Sequence, residues 1–136
     1  MYPAVTFTGL QALAIAAGFA DGVRRSGYQI LACAILPDHT HLVIGRHSYL
    51  IEQVTNRLKG AATRELSARH LHPLEGCLTK NGSTPSPWAE GLWKVFLDSS
   101  EDIVRAIDYV ECNPTKENKR KQNWPFVTPY ELWRHT

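Results

Sequence analysis

Residues 28–46 read YQILACAILPDHTHLVIGR, and their reading decides the fold class. Tyr28–Leu36 is an apolar run of strand length. Pro37-Asp38 is a turn signal, since proline fixes φ and aspartate bonds its own backbone. His39–Arg46 then alternates well enough to form a strand paired back on its predecessor. Successive strand side chains face opposite ways. His39 and His41 therefore share one face, and Thr40, Leu42 and Ile44 share the other.

Outward from this hairpin the chain alternates between helical and extended patterns. Tyr2–Thr8, with Val5, Thr6 and Phe7, reads as a first strand broken by Gly9. Leu10, Leu13, Ala14, Ala17 and Phe19 follow at helical spacing, with Arg24 and Arg25 near the end and Gly27 as the stop. Downstream, Leu50–Ala68 places Ile51, Val54, Leu58, Ala61, Ala62 and Leu66 on one stripe of a long amphipathic helix. His70–Pro87, rich in Gly, Pro, Ser, Thr and Asn, reads as an exposed loop. Trp93–Leu97 suits a strand. Ser99 or Ser100 can cap a last helix, which Pro114 should stop at about Asn113. The order β-α-β-β-α-β-α predicts an α+β fold: an antiparallel sheet with flanking helices, ferredoxin-like or palm-like, in a single domain over 1–136.

Bulk properties bound the function. The chain has 136 residues, 43% hydrophobic and 21% charged, with a formal net charge of +2. That is an ordinary globular balance, so any nucleic-acid contact depends on where the cations sit. Cys33, Cys77 and Cys112 form no CxxC pair, which argues against a disulfide framework or zinc ribbon and for a reducing, cytoplasmic setting. Leu10–Ala20 is too short to span a bilayer, so no membrane association is expected.

Two segments carry candidate chemistry. The first is His39-Thr40-His41, whose ring nitrogens can converge on one cation; two solvent-facing histidines would look the same. The second is Tyr109-Val110-Glu111-Cys112-Asn113-Pro114. Tyr109 and Asn113, at i and i+4, share a helix face. A core tyrosine with a capping asparagine is the plainer reading of that pair. Asp38 and Glu111 flank the two segments and can support metal ligands from outside, although solvated carboxylates are the simpler account. Lys59, Arg64, Arg69, Lys116, Lys119, Arg120 and Lys121 are candidate phosphate contacts. Trp88, Trp93, Trp124 and Trp133 can stack on bases or fill the core. The chain lacks the HxE with PCxxC of zinc deaminases and the HExxH of metalloproteases.

Together the strings LPDHTHLVI (36–44), GLWKVFLD (91–98) and AIDYVECNP (106–114) resemble the REP-associated tyrosine transposases, members of the HUH superfamily of single-strand endonucleases. The resemblance runs from about Phe7 to Tyr130. It implies that His39 and His41 ligate a divalent metal, Mg²⁺ or Mn²⁺, that Asn113 helps complete the metal site, and that Tyr109 attacks a DNA phosphate. It further implies single-stranded or hairpin DNA as partner, with Lys59, Arg64, Lys116, Lys119, Arg120 and Lys121 as contacts. The chain would act as a monomer, or as a homodimer that swaps the tyrosine helix. Thr40 departs from the large apolar residue usual between the histidines, and its hydroxyl needs a partner if buried. Leu36 stands where methionine is usual. The alternative is a catalytically inactive descendant that only binds hairpins; a plain interaction module has no positive feature in its favour.

Overall fold

The computed structural model describes residues 6–27, 29–45, 51–88, 93–97, 103–116, 119 and 122–128. Helix α1 spans Gly9–Ser26, strands β1 Ile30–Ile35 and β2 Thr40–Ile44, helix α2 Ile51–Ala68, strand β3 Trp93–Leu97 and helix α3 Ile103–Lys116. The chain is thus α+β, with a small sheet flanked by helices.

Local chemistry explains the first helix. Thr8 accepts a hydrogen bond from the Gln11 amide (3.2 Å), and the Gln11 side chain accepts one from the Thr8 amide (2.8 Å). This reciprocal cap satisfies two otherwise orphaned N–H groups. At the other end Gly27 adopts φ 73°, and its N–H donates to the Val23 carbonyl (2.9 Å). A side chain there would be strained, which is why glycine closes the helix. Gly18 serves a different need: a Cβ at that position would lie 2.5 Å from the Ala62 Cα. Only glycine lets α1 cross α2 so closely.

The hairpin forms as the turn signal predicts. β1 and β2 run antiparallel, with Ala34 opposite His41 and Cys33 opposite Leu42. An irregularity between Ile30 and Ala32 shifts the register. Both faces of the sheet are covered. Ile30, Cys33, Ile35, Leu42 and Ile44 meet Ala14, Ile15 and Phe19 of α1 and Val54, Leu58, Ala62 and Leu66 of α2. Leu31, Ala32, Ala34 and Val43 meet Val110 of α3 on the opposite face. A strand buried on both sides reads as a continuous apolar run, as 30–36 does.

Three expectations require correction. The first expected strand falls largely on Tyr2–Val5, outside the described residues; Thr6–Thr8 form none, and Thr8 instead caps α1. The Phe7 N–H donates to the Pro37 carbonyl (2.6 Å) and its ring is buried. The sheet is not antiparallel throughout: β3 pairs with β2 in parallel, with His41 opposite Lys94. A helix lies between β2 and β3, and such a crossover returns the chain to the end where β2 began. Finally, α3 continues through Pro114 to Lys116. Proline removes a single N–H from the last turn, and the Lys119 N–H closes that turn on the Pro114 carbonyl (2.8 Å). The capping role expected of Ser99 or Ser100 lies outside the described residues.

Thr40 is buried at 1% exposure, and its hydroxyl has no hydrogen-bond partner among the described residues. A buried unpaired hydroxyl costs about 1–3 kcal/mol. Thr40→Val, which replaces that hydroxyl with a methyl of similar shape, should therefore raise the thermal midpoint by several degrees. An unchanged or lower midpoint in a thermal melt would show that the hydroxyl is satisfied.

Candidate active site

The site lies on the α3 face of the sheet. The pleat of β2 turns His41 and Val43 toward α3 while Leu42 and Ile44 enter the α1–α2 core. His41 is only 6% exposed. His39, just before β2, sits with its ring centroid 4.6 Å from that of His41. The same-face placement predicted from spacing is therefore observed. α3 brings Tyr109 to the pair: its ring stacks on His41 at 5.6 Å, with the planes 29° apart. Val110, one residue on, is buried against Val43 and fixes the helix rotation that makes this contact. Tyr109 is 38% exposed, so the ring packs on His41 and still reaches solvent. The Lys116 ammonium lies 5.2 Å from the Tyr109 ring centroid.

Asp38 has a defined place as well. Its Oδ1 lies 2.5 Å from His39 Nδ1. A carboxylate partner favours the tautomer with the proton on Nδ1, which would direct the Nε2 lone pair to a metal. This is the arrangement by which a carboxylate orients a metal-binding histidine. The pair offers two imidazole donors toward a divalent ion, and among the described residues no group of three His, Cys, Asp or Glu surrounds a common point. Two imidazoles suit manganese better than magnesium, which prefers oxygen. Asn113, one helical turn beyond Tyr109, is the remaining candidate ligand; its side chain lies outside the described residues. Glu111 is not at the pair. It lines a pocket beside β1, on the opposite flank of α3.

The candidate phosphate contacts separate. Lys116 is exposed in the last turn of α3, on the tyrosine side, and Lys119 is exposed beyond the helix end. Arg120 and Lys121 lie outside the described residues. Lys59 and Arg64 belong to α2, across the sheet from Tyr109. Lys59 is half-buried in a cleft with Thr63, His72 and Trp88, and desolvation pushes its ammonium below the usual range. Arg64 borders a different cleft, with Asp21, Arg25 and Arg57. Helical spacing alone could not reveal which sheet face α2 would cover.

The tryptophans separate too. Trp88 is held by its indole N–H, which donates to Thr63 Oγ1 (3.0 Å), and by its ring against Phe7 (5.4 Å). That is a packing role. Trp124 stacks on Phe126 at 6.2 Å and reaches the pocket beside β1. His72, a buried residue of the loop after α2, belongs to no motif in the sequence. Its Nδ1 accepts from the Leu74 amide (3.0 Å), and burial lowers its pKa against an opposing pull from Glu75.

The Asp38–His39 contact predicts that Asp38→Asn will weaken Mn²⁺ binding about 10-fold. Titration calorimetry measures this, and an unchanged affinity would remove Asp38 from the site. The chain matches no family model, no curated protein and no solved structure. What the site does is therefore argued from its geometry and from the motif resemblance.

Proposed function

We propose that the protein cleaves and rejoins single-stranded DNA, with Tyr109 as nucleophile and the His39–His41 pair holding a divalent metal, Mg²⁺ or Mn²⁺. This is the activity of a tyrosine transposase acting on hairpin or palindromic repeat DNA, carried on a ferredoxin-like or palm-like layer. One observation carries the reading. Segments some 70 residues apart in sequence bring a half-exposed phenol to stack on one of two adjacent imidazoles, whose own rings are tilted 57° to each other. A tyrosine recruited only for packing has no need of a neighbouring histidine pair whose orientation is fixed by a carboxylate.

The residues divide the work. The His41 ring and the burial of Val110 hold the Tyr109 ring in place, which reduces the entropy lost on reaching the reactive geometry. Lys116 places a cation beside the phenol, where an anionic phosphate must approach. Lys119 extends that positive character beyond the helix end. The Tyr109 oxygen forms a bond to phosphorus, the bond to the 3′-oxygen breaks, and the phenol proton ends on the departing 3′-hydroxyl. A 5′-phosphotyrosine results. One phosphodiester replaces another, so a second 3′-hydroxyl can reverse the step without ATP. A divalent ion at the imidazoles supplies charge neutralisation at the phosphate.

Incubation with labelled single-stranded hairpins and Mn²⁺ should yield a covalent protein–DNA adduct on a denaturing gel. The adduct should vanish in Tyr109→Phe while hairpin binding persists, and it should lose its metal dependence or disappear in His41→Ala. An adduct retained by Tyr109→Phe would overturn the assignment of the nucleophile. Hairpin binding with no adduct under any metal would instead identify a descendant that binds without cleaving.

A further inference from the structure

β1 is an outer strand of the sheet, yet its free edge is closed at both ends by the segment that follows α3. At one end the Gln122 side chain imitates a strand. Its Oε1 accepts from the Ile35 N–H (2.8 Å), and its Nε2 donates to the Ile35 carbonyl (2.8 Å). The Trp124 indole N–H holds the same Oε1 (3.0 Å). At the other end Val127 bridges to Ile30 in parallel, and the Thr128 N–H donates to the Ile30 carbonyl (2.8 Å). Backbone groups alternate sides along a strand. Since Ile35 turns both its groups outward, Cys33, two residues back, turns its N–H and C=O the same way. Between the two clamps these groups face a pocket lined by Leu31, Cys33, Glu111, Asn123, Trp124 and Val127.

The gap admits a particular kind of ligand. An added peptide strand needs a run of free edge, and the clamps leave one donor–acceptor pair. A flat ring with an amide-like edge needs only that pair and an aromatic face. Trp124 provides such a face. Glu111, on the flank of α3 opposite Tyr109, supplies a carboxylate that only accepts.

Resting on the reading of the protein as a single-strand DNA enzyme, we infer that this gap in the β1 edge binds one unpaired nucleobase, stacked on Trp124 and paired along its edge with the Cys33 backbone. The Glu111 carboxylate selects a base with an exocyclic amine. Guanine, adenine and cytosine each carry one; thymine presents carbonyl oxygens there. The pocket lies two residues along α3 from Tyr109, so a base lodged in it fixes the register of the strand relative to the nucleophile.

The experiment uses the full chain carrying Tyr109→Phe, so that nothing is cleaved. Anisotropy is measured with labelled 12-nucleotide single strands in which each position in turn is made abasic or thymine. One position is expected to lose about 10-fold in affinity when abasic, within the range for a stacked base. Thymine at that position should also bind more weakly. Trp124→Leu should weaken the intact strand to the same extent and leave the abasic strand unaffected. Glu111→Gln, a half-buried position outside the sheet, should abolish the discrimination against thymine. If every position responds alike, or if Glu111→Gln keeps the discrimination, the pocket assignment fails while strand binding, and with it the proposed function, survives. If no single strand binds, both fail.

Discussion

The pleat of β2 governs the rest of the molecule. Its five residues are buried on both faces, so each side chain has a single allowed direction. Leu42 and Ile44 fill the core beneath α1 and α2, and that leaves His41 and Val43 only the α3 face. A one-residue slip would send a histidine into the apolar core and a leucine into the site, exchanging the roles of every residue. Burial thus fixes the direction of His41 far more firmly than any hydrogen bond between the site residues. The same burial exacts a cost at Thr40, whose hydroxyl is enclosed on the apolar side without a partner.

α3 reads out that constraint from the other side. Val110 anchors against Val43, and a helix advances about 100° per residue. Tyr109 and Glu111 are consequently thrown to opposite flanks, one to the histidine pair and one to the edge of β1. A single packing contact thereby sets both a candidate nucleophile and a candidate recognition pocket. The residues after α3 complete the arrangement by covering the β1 edge, which removes a template for unwanted strand pairing.

The sequence was most legible where signals are local and repeated. Pro37-Asp38 between apolar runs gave the hairpin, Gly27 gave the end of α1, and the alternation through His39-Thr40-His41 gave the shared face of the histidines. The proximity of Tyr109 to that face was accessible only by motif resemblance, since nothing in residues 106–114 specifies what the helix packs against. Relations between distant elements escaped in other places. The parallel pairing of β3 depends on where α2 returns the chain, and the separation of Lys59 and Arg64 from Tyr109 depends on which sheet face α2 covers. Gln122 is a lone amide acting as a strand, and a lone residue leaves no periodic trace. Pro114 misled because the proline rule is strict in helix interiors and lax in a last turn.

The proposed activity requires a metal held by His39 and His41 to lie beside the Tyr109 ring. The most direct measurement is paramagnetic broadening by Mn²⁺ in protein labelled with ¹³C at its tyrosine rings. Of the five tyrosines, Tyr109, assigned by its loss in Tyr109→Phe, should broaden at the lowest Mn²⁺ concentration. That selectivity should vanish when His39 and His41 are both replaced by alanine. Equal broadening of all five rings, or selective broadening that survives the double replacement, would contradict the account.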